Sequence, residues 1–227
     1  MYRLPWIVSI VLSAWLGLSG CAAPQDRMTI NERIARELIA MKESDQQLER
    51  HIVDNDPQAR TASFYARKER AQGANTKRCE EIFQKIGYPD ESMVGDEASR
   101  AFWLLVQHSD SDPAFQERVA EAMKPVVLRD QARADLLALL TDRVRVNTGR
   151  LQIFGSQVVY DTRTGQALPK QIEDGQQVDQ RRAEVGLEPL WVYLNEMSEL
   201  NFMMNQKMYE DRGQTEPWAY PDGYSDW

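Results

Sequence analysis

Nine polar residues have types and positions that could do chemistry: His108, Asp110, Asp142, Arg143, Gln152, Gln157 and Arg182, with Asp45 and Asn75 behind them. His108 titrates nearest neutrality, so it suits general acid or base work, and Asp110 or Asp142 could orient its imidazole. Arg143 and Arg182 carry planar forks that match a carboxylate or a phosphate. Gln152 and Gln157 could fix a ligand's orientation. That chemistry would be metal-independent hydrolysis or group transfer on a small anionic substrate. The same residues could instead form a polar network that locks helices together, each group satisfied by another. One histidine with scattered carboxylates is poor zinc spacing, so no metal or other cofactor is expected. No serine or cysteine elbow and no phosphate-binding glycine loop is present either.

Several of these residues stand out because they interrupt apolar faces. Thr29-Ile30-Asn31-Glu32 reads as a capping box, and Ile30, Ile34, Leu38, Met41, Leu48 and Ile52 then form a stripe in which Asp45 fills the gap. A carboxylate on such a face needs a partner. Asp56-Pro57 is expected to start the second helix, with Gly73 as an interruption. Asn75, Cys79, Ile82, Phe83 and Ile86 continue the stripe as far as Gly87. Ala98, Ala101, Phe102 and Leu105 line the next helix, with His108 three positions on. Asp112-Pro113 opens another, and Leu136, Leu137, Leu140 and Val144 line one more.

Between the later helices the pattern changes. Leu151 to Tyr160 is rich in β-branched and aromatic residues, and the turn residues Asp161 to Gly165 precede a return segment through Ile172. A β-hairpin is expected at about 150–173, with Leu151, Ile153, Gln157 and Val159 on one face. Helices follow from Val178 to Val185 and from Pro189 to Met208. Tyr209 to Trp227 hold five acids against one arginine, with two tryptophans and three tyrosines. This stretch reads as an acidic aromatic C-terminal tail, a mobile or loosely docked strap. The fold class is therefore mainly α, a single helical domain over 29–208 with one hairpin.

Arg3, an apolar stretch from Leu4 to Leu18 and the run Leu18-Ser19-Gly20-Cys21 open the chain. The run resembles the lipobox of bacterial lipoproteins. The resemblance implies a signal peptide over 1–20, acylation at Cys21, a tether over 21–28, and a lipid anchor in the cell envelope. Ala22 after the cysteine implies the periplasmic face of the outer membrane. The apolar stretch is shorter than the roughly 20 residues of a spanning helix. The net charge of −8 becomes −9 once residues 1–20, with Arg3, are removed. An acidic domain argues against nucleic-acid or electrostatic lipid binding. Cys79 is then the one remaining cysteine, expected as a small buried hydrophobe.

From about Ala40 to Met197 the chain resembles a bacterial domain family of unknown function. The residues that carry the resemblance are Asp45-Gln46 with Arg50, Asn75, Gly87-Tyr88-Pro89, and Trp103 to His108 with Asp110. They continue through Leu140 to Val144, Gln152, Gly155-Ser156-Gln157, Val178-Asp179 with Arg181-Arg182, Val185-Gly186-Leu187 and Tyr193. Ser156 stands where that family more often has Thr, and Phe154 where it more often has Tyr. The family implies no activity. Two expectations stand: a lipid-anchored binding or scaffold module that holds an envelope protein or a small anionic ligand, and an anchored enzyme centred on His108.

Overall fold

A computed structural model describes residues 28–54 and 56–227; Cys21 and the signal segment lie outside them. The chain is mainly α-helical, as the periodicity predicts. Helix α1 (Ile30–Val53) starts on the expected capping box: Glu32 N donates to Thr29 Oγ1 and Thr29 N to Glu32 Oε2. Ile34, Leu38 and Asp45 are its buried residues. Asp56 does cap, but what it starts is one 3₁₀ turn (Pro57–Arg60). Thr61 then caps α2 (Ala62–Ile86) by accepting from Phe64 N. Gly73 does not interrupt α2, because its missing side chain faces open space and the helix closes its turns regardless. Gly87, at φ +73°, ends it as expected.

A short helix α3 (Glu91–Val94), not anticipated, precedes α4 (Asp96–Gln107). Then come α5 (Pro113–Val127), capped by Asp112, and α6 (Ala134–Asn147). These six helices share one core, in which Leu38, Cys79, Phe102, Leu105, Phe115, Met123 and Leu140 are sealed from solvent. Burial pushes the Cys79 thiol up to about 12, so it stays protonated and inert, the small hydrophobe expected.

The hairpin is real but much shorter than expected. Strands β1 (Val158–Tyr160) and β2 (Ala167–Pro169) pair antiparallel, Val159 opposite Leu168. Residues 151–157 form a loop, so the strand alternation fails there. Gln152 is fully buried, whereas Leu151 and Val159 are exposed. Helices α7 (Val178–Glu184), α8 (Leu190–Met204) and α9 (Gln206–Glu210) follow, the expected last helix being broken at Asn205.

The C-terminal strap is docked. Tyr220 donates to Ala167 O at 3.1 Å and exchanges hydrogen bonds with the Asn195 side chain through its own backbone. Its ring lies within 5.3 Å, centroid to centroid, of those of Trp218, Tyr224 and Trp227. With Leu190, Leu194, Val178 and Ala167 these rings make a second core. Aromatic residues in the strap thus supply apolar area that a two-stranded hairpin and two helices could not bury alone. Among the described residues no helix is long and apolar enough to cross a membrane.

Candidate functional site

The nine residues singled out above fall into three separate groups. The largest is a latch between the two cores. Asp142, on the buried side of α6, is fully sealed. Its carboxylate accepts from the backbone N–H groups of Ile153 (2.7 Å), Phe154 (3.0 Å) and Ser156 (2.9 Å). Gln152 copies a strand partner with its side chain, accepting from Gln157 N at 2.8 Å and donating to the carbonyls of Gln157 and Lys170. Arg182, almost wholly buried, donates to Phe154 O and Glu188 O, and its guanidinium lies 5.2 Å from the Tyr193 ring centre. Arg181 holds the carbonyls of Ile153, Glu173 and Asp174, and Tyr193 donates to Ser156 O. Asp142, Arg181, Arg182 and Tyr193 tie the 152–157 loop to α6, α7 and α8, while Gln152 holds the loop to itself and to the return segment. The charges of Asp142 and Arg182 are spent on backbone groups, so the latch is structural in its chemistry. Gln157 sits half-buried at its edge, donating to Ser156 Oγ at 3.2 Å.

The second group lies on the surface of α6. Arg143 grips Asp110 bidentately, Nε and Nη2 each 2.7 Å from a carboxylate oxygen, and Asn147 adds a third bond. Burial alone would raise the Asp110 carboxyl, but the Arg143 guanidinium, helped by Asn147 and Gln116, more than reverses this and lowers it. Gln116, buried on α5, uses its amide to cap the carbonyls of Val106 and Gln107 at the end of α4. Both forks expected to hold an anion, Arg143 and Arg182, are therefore occupied by the protein itself.

The third group retains chemical capacity. His108 is the C-cap of α4, where the helix ends and its ring turns back toward α1. Its Nδ1 donates to Asp45 Oδ2 at 2.7 Å. Asp45 is only 2 % exposed, whereas the His108 side chain is 20 % exposed. A buried carboxylate thus fixes an imidazole that still reaches solvent, the arrangement that selects a tautomer and orients the second ring nitrogen. Glu49 stands one turn beyond Asp45 on α1, held by Lys68 of α2 at 2.9 Å. One ligand atom each from Asp45, Glu49 and His108 lies within 4.8 Å of the others. Asn75 is half-buried on α2, and its buried neighbour Thr76 donates to Ser109 Oγ at 2.9 Å. Thr76 Oγ1 also stands 2.9 Å from Gln72 O, which competes for its single proton, and Ser109 donates to Leu105 O.

Sequence reasoning missed Glu49 and Gln116, and both carried a signal. Glu49 is four residues beyond Asp45, on the same helical face. Gln116 shares a stripe with Val119 and Met123, the same kind of polar interruption that singled out Asp45.

Away from these groups, a cleft of about 700 Å³ opens between the end of α1 with the 3₁₀ turn and the α8–α9 corner. Ile52, Tyr65, Met204 and Met208 give it an apolar lining, with Lys207 and Asp211 beside them.

No curated protein and no solved structure matches the chain. The pattern of a family of unknown function (DUF6624) does match it, over residues 32–204, which takes in α1 through α8, the latch and the Asp45–His108 pair. The chain belongs to that family.

Proposed function

We propose that this protein is a lipid-anchored lipoprotein of the bacterial cell envelope whose domain carries out proton-transfer chemistry, of hydrolase or transferase type, at the Asp45–His108 pair. One observation carries the assignment of the centre: a 2 %-exposed carboxylate 2.7 Å from the Nδ1 of an imidazole that reaches solvent. Such a pair is pre-organised, because Asp45 holds the ring and stabilises the imidazolium formed when the other nitrogen takes a proton. The anchor rests on Leu18-Ser19-Gly20-Cys21 and on α1 starting nine residues beyond Cys21. Two measurements test this reading. Mass spectrometry of the N-terminal peptide from cell membranes should find acyl chains on Cys21, and none in Cys21→Ala. A turnover screen over ester, amide and phosphoester substrates should find an activity that His108→Gln abolishes while the fold survives. An activity untouched by His108→Gln would remove His108 from the chemistry.

A second reading is favoured by the cleft beside Tyr65, Met204 and Met208. Methionines make an adaptable apolar lining, so the anchored domain would act as a binding module for an apolar segment of an envelope partner. Met208→Glu should then abolish partner capture and leave any His108-dependent turnover unchanged.

A further inference from the structure

We propose that Asp45, Glu49 and His108 form a binding site for a divalent first-row transition ion, with Lys68 as the built-in cation that holds the site when no ion is bound. This deepens the reading of Asp45–His108 as the reactive centre and rests on it for location only. The donors come from two elements with independent reasons for their positions. Asp45 and Glu49 are four residues apart on α1, so their side chains rise from one face, one above the other. His108 arrives from the end of α4, the helix packed against α1.

Ligand atoms around one ion at about 2.0–2.2 Å stand roughly 3–4 Å from one another. Here all three already lie within 4.8 Å of one another, close to that spacing. One imidazole nitrogen and two carboxylate oxygens suit zinc or manganese. Calcium, which takes six to eight oxygens, finds too few here. Three protein ligands would leave positions for water and for a substrate oxygen, the open arrangement of reactive rather than structural sites.

Charge supports the assignment. Two carboxylates face one histidine, and the fourth member is a lysine whose ammonium lies 2.9 Å from Glu49 Oε1 and 3.1 Å from Oε2. An ammonium between the two oxygens of a carboxylate stands where a cation is wanted. A small anion would meet these carboxylates first, so it would bind here through a bridging ion rather than directly. An ion would displace the Nδ1 proton of His108 and release Lys68.

Lys68 separates a metal site from a structural ion-pair cluster. If the group exists to bind an ion, Lys68 is a competitor, and removing it tightens binding. The full chain is stripped with chelator and dialysed against Zn²⁺, Mn²⁺ or Ca²⁺ alone, and bound metal is measured by plasma emission. The expected result is one Zn²⁺ or Mn²⁺ per chain and no stoichiometric Ca²⁺. Asp45→Asn should lower the affinity by about tenfold or more, and Lys68→Met should raise it. Three outcomes would overturn the site: no stoichiometric ion in the parent chain, equal binding in Asp45→Asn, or Lys68→Met binding no tighter than the parent. Lys68→Met alters a partly exposed side chain on α2, so it stays informative even if Asp45→Asn folds poorly. Failure here would leave His108-dependent turnover standing as metal-free chemistry. Binding without turnover would keep the ion and remove the activity.

Discussion

Nδ1 of His108 donates to Asp45 Oδ2 at 2.7 Å although 63 positions separate them, and only Asp45 of the two is hidden from water. That asymmetry makes the two residues unequal under mutation. His108→Ala leaves a buried carboxylate without its donor and should cost about 2–3 kcal/mol. Asp45→Asn removes the charge that needed the partner and should cost about 1 kcal/mol. Urea titrations of both single variants and of the double variant check this. The double variant should be more stable than His108→Ala alone. Equal losses in the two single variants would mean that Asp45 is solvated in solution.

Asp142 should be the costliest carboxylate to alter. Asn presents an amide hydrogen where backbone N–H groups of Ile153, Phe154 and Ser156 converge, so donors face donors. Asp142→Asn should destabilise the protein by about 3 kcal/mol, and the amides of 152–157 should exchange hydrogen faster than those of α4. Uniform acceleration across the chain would argue that the latch and the first core unfold together.

How much of this was legible in the sequence turns on what kind of partner each residue uses. Asp45 could be recognised because it breaks a helical stripe, and a stripe is a local property. Its pairing with His108 could not be read, since nothing in the 62 residues between them encodes the distance. The hairpin shows the opposite failure. Val158 to Tyr160 form a strand as their residue types predict, and Ala167 to Pro169 pair with it as the turn before them implies, but the β-rich stretch 151–157 is a loop because Asp142 takes its backbone donors. A side chain from α6 overrode local propensity. For the strap at 209–227, composition left docking and mobility both open, and contacts with distant residues decide it. Its acids point to solvent exposure, while Tyr220 is buried in the second core and Tyr209 is buried against Phe202 and hydrogen-bonded to Asn201.

The lowered Asp110 carboxyl has a definite pH signature. A group whose folded value lies below its unfolded value, about 3.9, adds stability above that range and loses it as pH falls through the lowered value. Asp110 is half exposed, so the gain is roughly 0.5–1 kcal/mol. Arg143→Gln should therefore be less stable than the parent by a constant margin from pH 5 to 8, and the margin should shrink below about pH 4. An unchanged margin at pH 3 would show that Arg143 contributes by packing rather than by charge.

Two glycines should respond to alanine with opposite sign. Gly73 lies inside α2 with nothing within 4 Å of an added Cβ, so Gly73→Ala replaces the more flexible residue at no steric cost. It should stabilise the protein by about 0.5–1 kcal/mol. Gly165 closes the hairpin turn at φ +72°, and an added Cβ would stand 2.7 Å from the Tyr209 ring. Both the backbone conformation and the space forbid it. Gly165→Ala must push Tyr209 off Asn201 Nδ2, which also donates to Gly165 O, and so should loosen α9 and the strap beyond it. Thermal melts give the two signs directly. Tryptophan fluorescence should red-shift in Gly165→Ala as Trp218 and Trp227 meet water, and stay unchanged in Gly73→Ala. A Gly165→Ala protein with parental stability and emission would mean that Tyr209 can be displaced without loosening the strap.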